Sequence, residues 1–317
     1  MKKLLFLPLI AIIVVALGGF WFYKNSQPVS NKEAYDYFLI NKGSGASQIG
    51  KKLESAGLIK SAFAFKLYLQ FTGQTGKLQP GEFRLTPSYS LFQTVEALFD
   101  GPVEIWVTIP EGLRREEVAS KFALTLDKDS KFIDEFLVSS KGQEGYLFPD
   151  TYLFPKEASA SSVVKRMIST FNAKTSGFEP KGSGLTLAET IIVASLLERE
   201  TKTDAERPVV SGIILNRLNA GMPLQIDASV QYAVGTSKNW WPILTRNDLA
   251  VNSPYNIYKF AGLPPGPIAS PGLSSLKAAF SPTENDYWYY IHDTDGKIHY
   301  AKTLQEHNAN ISKYLGK

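Results

Sequence analysis

The sequence predicts an α+β protein carried on an N-terminal transmembrane helix, and three observations lead to that reading. An uncharged, mostly apolar run extends from Leu4 to Tyr23 between Lys2-Lys3 and Lys24. Short strand, Gly-containing turn and helix patterns then alternate through residues 37–128. Finally, the segment 187–200 is apolar or small on every helical face from Ile191 to Leu197, the signature of a helix buried all round at the centre of a second, mixed α+β domain.

The N-terminal run comes first. About 20 residues at roughly 1.5 Å each match the roughly 30 Å hydrocarbon core of a bilayer. Phe20, Trp21, Phe22 and Tyr23 stand at its far end, where an aromatic belt meets headgroups. A cleaved signal peptide ending near Ala16-Leu17-Gly18 is the alternative, and the length and bulky aromatics favour an uncleaved anchor. Residues 1–24 are therefore expected to be a cytoplasmic tip and anchor, N-terminus inside, with everything after Lys24 outside the cytoplasm. Residues 25–36, with Ser26, Pro28 and Ser30, are expected to be a polar stem.

Residues 37–128 are expected to form one small α+β module. Tyr37–Ile40 reads as a strand, 42–47 as a turn, and Ile49–Leu58, Ala62–Phe71 and Leu91–Phe99 as helices around the segment Gly81–Leu85. Strand Ile105–Ile109, turn Pro110-Glu111-Gly112 and helix Arg115–Leu124 partly repeat the opening strand, turn and helix. Residues 129–317 are expected to form the second, mixed α+β domain. Its helices are predicted at Ser162–Phe171, Leu187–Glu200 and Pro208–Leu218, with an aromatic, Pro-containing stretch at Glu144–Tyr152. A hairpin, Tyr287–His292 with Ile298–Ala301, turns at Asp295-Gly296, and the Thr303/Glu306 capping box starts a last helix.

Composition narrows the chemistry. There is no Cys and there are only three His, all after residue 291, so thiolate nucleophiles, Cys-ligated metals and iron–sulfur clusters are excluded. A Ser/His hydrolase is poorly supported, because no Gly-x-Ser-x-Gly elbow is present. The net charge of +4, without a basic cluster, carries no nucleic-acid footprint. No metal and no cofactor are expected.

What remains is carboxylate chemistry. Thr186 and Glu189 have capping-box spacing, and Glu198 and Glu200 fall where the apolar helix ends. At 100° per residue the two lie about 200° apart and cannot share a face. A carboxyl held against apolar walls titrates near neutrality and becomes a general acid. The plain structural alternative is a solvated helix end of Glu198, Arg199, Glu200 and Lys202. Downstream, Asn216–Tyr232, Asn252–Tyr258 and Gly262–Ile268 place Tyr, Asn and Gln on short rigid segments, a composition that suits a sugar polymer. Trp240 and Trp241 fit core packing as well as a sugar platform.

At these residues the chain resembles the YceG-like endolytic murein transglycosylase family. The matching segments are Glu144–Tyr152, Ala194–Thr201, Asn216–Tyr232, Ser253–Tyr258, Gly262–Ile268 with Pro271-Gly272, and Glu306-His307-Asn308; Arg199 and Ile257 depart from the family pattern, where a Lys and a Thr are expected. The resemblance implies a LysM-like first module and an inner-membrane, single-pass enzyme that cuts nascent peptidoglycan strands internally. It implies Glu200, followed by Thr201, as the catalytic acid, and Gln225, Asp227, Tyr255 and Asn256 as glycan-binding or acid-positioning residues, with Tyr146 and Asp150 lining the same groove. Peptidoglycan strands, the membrane and peptidoglycan synthases are the partners it suggests. A membrane-anchored, non-catalytic glycan-binding scaffold is the competing function.

Overall fold

The structure is a computed structural model that describes residues 6–31, 34–180 and 183–316, and Leu4 and Leu5 of the predicted anchor lie outside these. The chain folds as two compact units. One comprises residues up to Val107 together with Tyr152–Glu157, and the other Thr108–Thr151 with Ala158 onward.

The first unit holds α1 (Phe6–Ser26), β1 (Asp36–Ile40), α2 (Ala46–Ser55), α3 (Ala62–Phe71), β2 (Gly81–Leu85), α4 (Leu91–Phe99), most of β3 (Glu104–Thr108) and most of β4 (Thr151–Pro155). The sheet order is β1-β2-β3-β4, with β1 antiparallel to β2 so that Phe38 faces Phe83. Alternation sends Phe38, Ile40, Phe83 and Leu85 to one face, where they meet Leu53, Phe65 and Leu98 from the helices. Ser61 caps α3, and Ser90 with Gln93 forms a capping box on α4, which is why both helices begin where the sequence predicts. Helix α2 starts three residues early, because the Gln48 side chain accepts from the Gly45 backbone N–H at 3.2 Å and closes the first turn.

The expected stem is largely built into this unit. Helix α1 continues to Ser26, which is buried, and Val29 and Ser30 both donate to the Pro87 carbonyl. Trp21 and Phe22, expected at headgroup level, pack against Phe63 and Phe92 at ring separations of 5.7 and 6.3 Å. Among the described residues no helix is long and apolar enough to cross a membrane.

In the second unit are α5 (Arg115–Thr125), α6 (Ser130–Ser139), α7 (Ala160–Lys174), α8 (Leu187–Glu200), α9 (Arg207–Asn219), α10 (Asp227–Val234), α11 (Leu273–Phe280), the hairpin β5 (Tyr289–His292) and β6 (Ile298–Ala301), and α12 (Leu304–Leu315). Helix α5 was expected to complete a second copy of the strand–helix unit in the first module. Instead it belongs with α6, its Phe122 lying 6.2 Å from Phe136. Helix α8 is the axis of the core, with Ile191 to Leu197 all buried and surrounded by α9, α10 and α11. The predicted capping box is present: Glu189 N donates to Thr186 Oγ1, and Thr186 N to Glu189 Oε2. Burying these roughly two turns stabilises the unit by roughly 1.5–3 kcal/mol per large apolar side chain.

Candidate active site

Helix α8 delivers two carboxylates to its C-terminal end. This is the unfavourable end, since the helix dipole is negative there and opposes a further negative charge by about 0.3–1 kcal/mol each. Thr201 terminates the helix, its N–H and hydroxyl both donating to the Leu197 carbonyl, at 3.0 and 2.7 Å.

The two carboxylates have different surroundings, as their positions around the helix require. Glu198 Oε2 accepts from the Gly272 backbone N–H at 2.9 Å and Oε1 lies 3.7 Å from Arg207 Nη2. Arg207 in turn bonds Ser275 Oγ at 2.9 Å and pairs with Asp204. Glu198 thus ties α8 to α9 and α11. Glu200 points instead toward the hairpin, and its Oε2 accepts from Tyr290 Oη at 2.9 Å. Burial pushes its carboxyl up from 4.5 to about 7, against the Tyr290 hydrogen bond and with the Asp227 charge adding to the rise; Arg199 and Arg217 pull it down. Tyr290 itself is driven well above its ordinary value, chiefly by burial, and stays a donor. With Oε2 occupied by Tyr290, the proton of neutral Glu200 belongs on Oε1.

The neighbours of Glu200 are fixed by other elements. Arg217 of α9 donates to the Trp288 and Leu224 carbonyls, both at 2.7 Å, and holds the hairpin to the segment before α10. Asp227 opens α10 and accepts from Tyr258 Oη at 2.5 Å. Gln225, two residues earlier, is exposed and has a left-handed backbone, φ 55°, while its N–H bonds the Ile257 carbonyl at 3.1 Å. A left-handed non-Gly residue costs about 1 kcal/mol or more and tends to mark a functional loop. The Gly262–Ile268 segment is pinned to α8 by the Ile268 N–H donating to Ser195 Oγ at 3.1 Å.

Not every residue implied by the resemblance is gathered here. Asn256 is fully buried, and its amide is spent on the Leu249 and Val251 carbonyls and the Tyr258 N–H, so it shapes the turn and has no group left for a sugar. Tyr146 packs on Phe171 at 5.2 Å, against the apolar core. Asp150 accepts from the Thr151 N–H at 2.8 Å and pairs with Lys174 at 3.5 Å. No contact among the described residues joins either to Glu200. Tyr255 packs against Tyr232 at a ring separation of 4.8 Å, beside the buried Glu144. A cavity of about 590 Å³ between α9 and residues 282–286 contains none of the candidate residues. Tyr290, which bonds Glu200, and Arg217, whose charge reaches it, are the neighbours that residue patterns missed. Tyr290 was visible only as one member of a predicted strand.

An α+β unit that presents a desolvated carboxyl at the end of its central helix, held by a phenol on one oxygen, offers the surroundings that a general acid requires. Residues 38–313 match the YceG-like family, and the chain belongs to it. It is 30% identical, over 97% of its length, to an endolytic murein transglycosylase of Streptococcus pneumoniae serotype 2. It is 32% identical, over 94% of its length, to an endolytic murein transglycosylase of Bacillus subtilis, of which it covers 91%. The chain spans 64% of the length of the streptococcal relatives that it matches. A crystal structure of a YceG-like protein from Listeria monocytogenes superposes with a TM-score of 0.59 at 29% identity, covering 88% of this chain and 99% of that one.

Proposed function

We propose that the chain is a membrane-anchored endolytic murein transglycosylase that cuts nascent peptidoglycan strands between MurNAc and GlcNAc and so ends their elongation. The names of its relatives support the activity, and the observation that carries it is Glu200, a carboxyl raised to about 7 with one oxygen taken by Tyr290. Neutral Glu200 gives its proton to the glycosidic oxygen as the bond to MurNAc C1 breaks. The resulting carboxylate then takes the proton of the MurNAc O6 hydroxyl, O6 bonds to C1, and a 1,6-anhydro end forms without water. Glu200 ends the cycle protonated, as it began. Because the nucleophile belongs to the substrate, the second carboxylate of ordinary glycosidases is unnecessary. Asp227, whose charge reaches the acid, and Gln225, two residues before it, are exposed and suited to an open groove that admits the middle of a polymer.

The anchor is supported by the uncharged run 4–23 and by the exposed apolar side chains of Ile12, Val14, Val15 and Leu17 on α1. In this reading the part of α1 before Phe20 lies in the plasma membrane with the N-terminus cytoplasmic, and both units work outside the cytoplasm. The small first unit is a LysM-like glycan-binding module, and peptidoglycan synthases are the partners that supply the strand. Incubating purified strands with the full-length chain tests the activity. Shortened strands with anhydro ends are expected; reducing ends would mean hydrolysis, and strands bound but not shortened would mean a scaffold.

A further inference from the structure

A second buried carboxyl, which the proposed reaction does not use, lies at Glu144. Its side chain is 8% exposed as a residue, and its Oε2 accepts from the Arg115 backbone N–H at 3.3 Å and from Tyr232 Oη at 3.2 Å. Oε1 is buried and has no hydrogen-bond partner. The charged groups facing it come from α5, and none neutralises it at contact. Arg115 sends its guanidinium to the Leu137 carbonyl and Ser140 Oγ, while Arg114 pairs with Glu116 at 2.8 Å. The remaining titratable neighbours are Tyr232 from α10 and Tyr255 from the 253–258 turn. Burial pushes Glu144 up to about 7, with Glu116 adding to the rise.

The location of this carboxyl gives it leverage. Gly145, at φ 83°, has Pro267 within 2.6 Å of where a Cβ would stand, so the Glu144 corner is pressed against the 262–268 segment and cannot drift. Tyr232, held by Glu144 and covered by the Arg114 guanidinium at 4.2 Å, packs against Tyr255 with its ring tilted by 44°. Asp227 begins the helix that carries Tyr232, and Tyr258 ends the turn that carries Tyr255. Those two residues bond each other beside Glu200.

We infer that Glu144 is a positioning residue for the glycan site, holding α10 and the 253–258 turn through Tyr232 and Tyr255 so that Asp227 and Tyr258 are presented beside Glu200. The inference rests on the reading of the Glu200 region as a glycan site. Neutral Glu144 suits the dry surroundings of Oε1; its ionised form demands solvation there and loosens the Tyr232–Tyr255 contact. Glycan binding is therefore tight below about pH 7 and weakens above it.

The test measures binding of undigested glycan strands to the full-length Glu200→Gln chain, alone and combined with Glu144→Gln or Glu144→Ala. Affinity of Glu200→Gln should fall about tenfold between roughly pH 6 and pH 8, while added Glu144→Gln, the neutral isostere, should keep the tight value at both. Added Glu144→Ala should bind weakly at both, and if it fails to fold the Gln comparison decides alone. With Glu200 intact, Glu144→Gln should remove the rise of KM with pH. A pH dependence of binding identical in Glu200→Gln with and without Glu144→Gln would overturn the inference, as would strands that fail to bind at any pH. Wild-type chain that makes no anhydro ends, in a preparation whose binding still responds to Glu144 as stated, would overturn only the proposed reaction.

Discussion

Replacing Glu200 by Gln removes an ionisable group whose cost can be read from its surroundings. In the folded chain burial holds this carboxyl at about 7, against 4.5 for the ordinary group. A folded value above the unfolded one means that its contribution to stability is complete below about 4.5 and is lost as pH rises through 7. At about 1.4 kcal/mol per unit, the loss is roughly 3–3.5 kcal/mol. Glutamine keeps the shape of the neutral acid and titrates in neither state. Glu200→Gln should therefore match the wild type near pH 4.5 and exceed it by up to about 3.5 kcal/mol at pH 8, while losing strand cleavage. Urea unfolding of both full-length chains across this range measures the difference, and the Glu144 term, common to both, cancels. Equal stability at pH 8, or a gap that does not widen with pH, would refute the claim that Glu200 is a desolvated acid.

Other substitutions separate the remaining roles. Tyr290→Phe removes a hydrogen bond that favours ionised Glu200, so the alkaline limb of kcat should move up by about one pH unit; an unmoved limb in the pH–rate profile would deny the contact any tuning role. Glu198→Gln leaves Arg207 with Asp204 and Ser275 and should cost about 1–3 kcal/mol in melting experiments, yet anhydro-ended products should persist. Asn256→Ala deprives two carbonyls and one N–H of their partner and should cost about 2–3 kcal/mol, visible as a lower melting temperature. Gln225→Gly relieves the left-handed backbone, for a gain of about 1 kcal/mol, and should weaken glycan affinity a few-fold by removing a side-chain hydrogen bond; unchanged affinity would take Gln225 out of the binding set.

The central helix was legible in the sequence because local signals coincide there. A capping box, a run apolar on every face and a hydroxyl residue at the end mark α8 without reference to any partner. The hairpin β5–β6 was legible for the same reason, through its turn at Asp295-Gly296. Strand β4 was not, since Thr151–Pro155 follows an aromatic, Pro-containing stretch and becomes a strand by joining the sheet beside β3. Helix α11, Leu273–Phe280, was hidden behind Pro271-Gly272, and α6 is not among the predicted helices. At the site the limit was distance along the chain. Periodicity cannot say that Tyr290 meets a carboxylate ninety residues earlier, or that Asn256 turns inward to its own loop. The wheel argument separated Glu198 from Glu200, and only the fold assigned one to Arg207 and the other to a phenol.

The account stands on one carboxyl acting as acid and then base toward the substrate's own hydroxyl. Mass analysis of the fragments released from purified strands by the wild type, Glu198→Gln and Glu200→Gln tests this most directly. Anhydro-ended fragments from the first two and none from Glu200→Gln is the predicted result. Anhydro fragments from Glu200→Gln, or their loss in Glu198→Gln alone, would contradict it.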